Sequence, residues 1–212
     1  QKVLVPLRTD ILIPFDKQNS YNVGYLFLQK IYYDLRLPNI CRKISKEYSF
    51  SYDLDSILSR LVYERILNPS SKLSCYEQSS DLLEPPAFEL HQIYRALSVI
   101  AEESDSIQAE LYEASRRLVK RQTAVLYYDC TNYFFETEYP EGLKQYGPSK
   151  EHRPNPIVEM GLFIDRSGIP LAFCIHPGNT NEQTTLIPLE EQILRDFSLS
   201  KFIICTDAGL SS

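Results

Sequence analysis

The chain has 212 residues, 43% of them hydrophobic, which is enough apolar material for a substantial core and for one ordinary domain with some helical extension. No run approaches the roughly 18 apolar residues a membrane helix needs, and no basic-then-apolar signal segment opens the chain, so the expectation is a cytoplasmic protein with no membrane partner. A net charge of −6 is unfavourable for binding nucleic acid through charge alone, and the surplus is local: residues 121–212 hold 12 acidic against 7 basic side chains, residues 1–120 hold 16 against 15. An acidic second half suits a divalent-cation site, although a solvated acidic face is the commoner source of such a surplus.

Residues 1–20, with Pro6 and Pro14, hold no helical or strand period and read as an extended lead-in. From Tyr21 to about residue 120, apolar residues recur at three- and four-residue spacing, as in Ile57, Leu58, Leu61, Val62 and Ile66, the mark of an all-helical region. Helices are predicted over 21–36, 39–47, 53–67, 73–83, 89–103 and 105–119. Pro38, Pro69 and Pro85-Pro86 stand as stops, and Asn39, Asp53 and Ser104 as N-caps.

After Lys120 the pattern changes to apolar runs of strand length, and residues 121–212 read as a second domain. Ala124 to Tyr128 leads into Asp129. Ile157 to Ile164 and Ile169 to Ile175 flank Asp165-Arg166-Ser167-Gly168, a turn with glycine where positive φ costs little, and form a predicted hairpin. Thr180 and Gln183 have capping-box spacing before a helix over 182–196. Residues 201–206 form a last strand leading into Asp207. Strand, hairpin, helix and strand give a mixed sheet, and the fold class expected is α+β or α/β.

Five widely spaced cysteines, Cys41, Cys75, Cys130, Cys174 and Cys205, form no CxxC pair and read as reduced core thiols. His91, His152 and His176 are scattered, with no nucleophile elbow, phosphate-binding loop or dinucleotide fingerprint nearby. What remains is the pair of strands that each end in an aspartate. Brought side by side by a helical crossover, Asp129 and Asp207 would project from one end of the sheet and could share Mg²⁺; taken separately, each caps the loop that follows it. Between them, Lys150, His152 and Arg153 lie in a polar, proline-rich segment, either to contact phosphate or shield the acidic site, or as an ordinary solvated connector.

Four segments in order, Leu126 to Glu136, Tyr146 to Asn155, His176 to Glu182 and Cys205 to Gly209, resemble DDE-type transposases of bacterial insertion sequences. The likeness runs from about Asn22 onward and is less distinctive in the helical half. It implies an incomplete ribonuclease-H-like catalytic domain in residues 121–212, with Asp129 and Asp207 as catalytic and metal-binding carboxylates for two Mg²⁺ or Mn²⁺ ions. The third carboxylate of such enzymes, a Glu in a Tyr-x-x-Arg-x-x-x-Glu context, would lie beyond Ser212, so the resemblance implies a truncated chain that is inactive alone. It further implies end-binding by residues 21–120, DNA partners (terminal inverted repeats and target DNA), a homodimer in the intact enzyme, and a nucleoid-associated setting. A structure-selective nuclease of the same fold and an inactive DNA-binding or interfering remnant remain as alternatives.

Overall fold

The computed structural model describes residues 20–84 and 86–207 and resolves two compact units, divided between Glu103 and Ser104. The expected extended lead-in, apart from Ser20, lies outside the described residues.

The first unit is helical: α1 (Tyr25–Asp34), α2 (Leu37–Glu47), α3 (Leu54–Leu67), α4 (Lys72–Gln78) and α5 (Leu90–Glu102). Its core gathers Tyr25, Tyr32 and Tyr63, with ring centroids of Tyr25 and Tyr63 5.4 Å apart, together with Leu54, Ile57, Ile93 and Ala96. Asp53 caps α3 as expected, accepting from the Ser56 N–H at 3.1 Å, and Glu89 with Gln92 forms a capping box on α5. Two expected signals act differently. Pro38 occupies the first turn of α2, where its missing N–H costs nothing, so Asn39 lies inside that helix and a left-handed Arg36 (φ 59°) precedes it.

The second unit begins with α6 (Ser104–Ser115), which the sequence assigned to the helical region. Ser104 is its first residue rather than its cap. The helix belongs with the sheet because its inner face, through Tyr112, joins the sheet's hydrophobic core. The strands are β1 (Val125–Phe134), β2 (Ile157–Asp165), β3 (Pro170–Pro177) and β4 (Ile203–Thr206), in the order β3-β2-β1-β4. β1 is antiparallel to β2 and parallel to β4, which is reached from β3 through α7 (Leu186–Asp196).

Strand alternation assigns the faces. Leu126, Tyr128, Cys130 and Phe163 point to a core closed by Tyr112 of α6 and by Leu189, Ile193 and Phe197 at α7. Tyr127, Asp129 and Tyr133 of β1 lie on the other face and are exposed. The β2–β3 hairpin turns as expected, with Gly168 at φ 76° and the Asp165 carboxylate accepting from the N–H groups of Ser167 and Ile169 at 2.9 and 3.1 Å.

The helix expected over 182–196 is divided into a short 3-10 turn, Glu182–Thr184, and α7. Pro188 has no N–H to bond the carbonyl of residue 184, which separates the two. The expected Thr180–Gln183 box gives way to a closer contact, in which the Asn181 side chain accepts from the Gln183 N–H at 3.1 Å.

Candidate active site

β1 and β4 run parallel in a register that pairs Tyr127 with Cys205 and Tyr128 with Thr206. One step further along both chains stand Asp129 and Asp207, both exposed. Continued alternation puts them at one level on the face opposite the helices. The reason lies in the sequence: the buried side chains of Leu126, Tyr128 and Cys130 fix the parity of β1 and turn Asp129 outward. β1 does not end at Asp129, as the residue pattern suggests, but continues to Phe134, so this carboxylate sits in mid-strand. The Asp129 side chain also accepts from the Cys130 N–H at 2.8 Å.

The Lys150 ammonium donates to the Cys130 carbonyl and lies 3.5 Å from the Glu182 carboxylate. Arg153 lies over the Phe134 ring, 4.1 Å from its centroid, and bonds Glu151 at 2.9 Å, while His152 is exposed in a left-handed conformation. Lys150 thus lies among the carboxylates of Glu182 and Glu159.

Glu159 is a residue that sequence reasoning missed. It is 1% exposed, faces the helix side of β2, and is paired in register with Asn132 on β1 and His176 on β3. Burial first, and then the Glu182 carboxylate, push its pKa up, against the opposing pull of Lys150 and a hydrogen bond from Asn132. Its signal was visible as one acidic residue at an inward position in the apolar run Ile157 to Leu162.

Beside it opens a cleft of about 540 Å³ between the segments around Ser149-Lys150 and Asn179 to Gln183. Its walls are set by backbone packing. A Cβ on Gly147 would come within 1.7 Å of the Gly178 carbonyl oxygen, so the two glycines touch main chain to main chain. Asn132 ties one wall to β1, donating to the Pro148 carbonyl and accepting from the Lys150 N–H, both at 3.3 Å. The other wall is held from below: the Thr185 hydroxyl donates to the Glu182 carbonyl at 2.6 Å and accepts from the Tyr128 hydroxyl at 2.5 Å.

The cysteines are all free, with Cys41, Cys75 and Cys130 buried. No helix among the described residues is long and apolar enough to cross a membrane, and no group of three or more His, Cys, Asp or Glu side chains among them could hold a metal ion. Compared with protein-family models, curated proteins and solved structures, the chain matches none of them.

Proposed function

We propose that this chain is part of a DDE-type DNA transposase, contributing two of the carboxylates that cleave and join phosphodiester bonds. The observation that carries the reading is the register of β1 with β4, which leads to Asp129 and Asp207 at one level on an open sheet face. The strand order β3-β2-β1-β4 with a helical crossover into β4 supports the ribonuclease-H-like expectation. The four motif segments that resemble insertion-sequence transposases supply the substrate class, DNA, together with the expected homodimer of the intact enzyme.

The donor set suits Mg²⁺ or Mn²⁺. Both side chains offer only hard oxygen donors, both are exposed, and such ions commonly take one or two carboxylates with water and phosphate oxygens completing the shell. When bound, the ions would supply Lewis-acid activation of a water or 3′-hydroxyl and stabilise the leaving oxygen. Asp129 holds position because the buried half of β1 is locked in the core, so it cannot turn inward without exposing Tyr128 and Cys130.

The test is Mn²⁺ titration of the 212-residue chain, followed by paramagnetic broadening of its NMR signals. Broadening centred on residues 129 and 207, abolished by Asp129→Asn with Asp207→Asn, is the expected result. Broadening elsewhere, or unchanged in the double variant, overturns the reading. In a protein that also carries the third carboxylate, either single variant is expected to lose both cleavage and end joining. Cutting by the unaltered protein without any joining would point to a nuclease instead.

A further inference from the structure

On the helix side of the sheet, the cleft beside Glu159 has a chemistry of its own. The Glu159 carboxyl is buried, and its Oε2 has no hydrogen-bond partner. The neighbouring donors make their bonds to other groups: Lys150 to Glu182 and the Cys130 carbonyl, and the His176 Nε2 to Cys174 Sγ at 3.1 Å. Glu159 lines the cleft, and Asn132 stands beside its carboxyl. The Ser149 hydroxyl on the same cleft is likewise buried without a partner.

We propose that this cleft is a binding site for a primary alkylammonium group, held by Glu159, Ser149 and Glu182. An ammonium has three N–H donors and no acceptor, and the cleft offers three acceptors: the Glu159 carboxylate, the Ser149 hydroxyl and the half-buried Glu182 carboxylate. Charge points the same way, since two carboxylates face the single ammonium of Lys150. A phosphate here would meet both carboxylates, whereas a cationic donor neutralises the excess and ends the isolation of Glu159. The volume, about 540 Å³, admits the alkyl chain attached to the ammonium and falls within the range of small-molecule sites. The group can come from a free small amine or from a lysine side chain of a partner.

Calorimetric titration of the chain with butylamine tests the assignment, with tetramethylammonium as the cation that lacks N–H donors. One saturable site is expected for butylamine and none for tetramethylammonium. Glu159→Gln is expected to weaken binding by about tenfold or more, the loss typical of a hydrogen bond to a charged group. Ser149→Ala, which leaves every charge in place, is expected to weaken it several-fold, and it decides the matter if circular dichroism shows Glu159→Gln unfolded. A short lysine peptide binding more tightly than butylamine identifies a partner's side chain as the source, and weaker peptide binding identifies a free amine. Absence of saturable butylamine binding, equal binding of tetramethylammonium, or affinity unchanged in the folded variants overturns the proposal and leaves the cleft to water.

Discussion

The guanidinium of Arg121 meets the carboxylate of Asp165 at 2.6 Å where both side chains are almost wholly shielded from solvent. Arg121 also bonds the Ser115 hydroxyl at 2.7 Å and the Pro170 carbonyl at 2.8 Å, so one side chain fastens the end of α6 to the β2–β3 hairpin. Removing one partner leaves the other charge buried alone. Asp165→Asn or Arg121→Met is therefore expected to cost about 3–5 kcal/mol, read from urea unfolding.

The same pair predicts an acid limb in the stability profile. Burial on its own would raise the pKa of Asp165, but the hydrogen bond from Arg121 and those from the Ile169 and Ser167 N–H groups outweigh it, and the net shift is downward. With the folded-state pKa below the unfolded one, the stabilisation is present above the unfolded carboxylate range and is lost as pH falls through the folded value. Unfolding free energies measured across the acid range should show this loss in the unaltered chain and a shallower one in Asp165→Asn.

Glu159 predicts the opposite slope. Its folded-state pKa is raised, chiefly by burial, so the ionised form is disfavoured in the native state and the chain loses stability as pH rises through the folded value. Glu159→Gln is expected to be more stable than the parent at neutral pH, by on the order of 1 kcal/mol, with the advantage shrinking in acid. A variant less stable than the parent at neutral pH in amine-free buffer would show that the carboxylate is already compensated.

Tyr128 and Thr185 form a buried polar chain through the core, joined by the Cys130 thiol 3.3 Å from each. Thr185→Val is expected to cost about 1–3 kcal/mol, because the Tyr128 hydroxyl loses its acceptor, and Tyr128→Phe about 1 kcal/mol, because the Thr185 hydroxyl keeps its bond to the Glu182 carbonyl. The double variant should cost less than the sum, and an additive result in thermal unfolding would mean that the two hydroxyls act separately.

If the helical unit grips DNA ends, α2 offers the basic surface. Arg42 and Lys46 are exposed on the side opposite Ile40, Cys41 and Ile44, which are buried. Replacing both by Ala should weaken binding to every duplex alike and reduce the slope of log affinity against log salt by about 0.9 for each phosphate left without its cation. A slope unchanged in fluorescence anisotropy would remove α2 from the DNA surface.

Much of this architecture was legible in the residues because burial imposes a period. The spacing of Ile57, Leu61 and their neighbours outlines α3 to within a residue at its start, and the Asp165–Gly168 turn locates the hairpin. The parallel pairing of β1 with β4 is the arrangement that the helical crossover made possible, and the sequence alone left it as a condition. What escaped were features set by tertiary contact. Nothing local to residues 104–115 says which core the helix joins, since Tyr112 finds its partners in β1, β2 and α7. The orientation of Lys150 depends on Glu182 and Cys130, each remote in sequence, so nothing local to residues 150–153 shows which groups its ammonium meets.

The main-chain contact between Gly147 and Gly178 ties two connecting segments into a clasp without a single side chain between them. Neither segment can lengthen its side chains at that point or drift independently of the other, so a change tolerated in one must be matched in its opposite number. The polar groups beyond the clasp inherit a fixed spacing from it, as the jaws of a caliper do from its pivot.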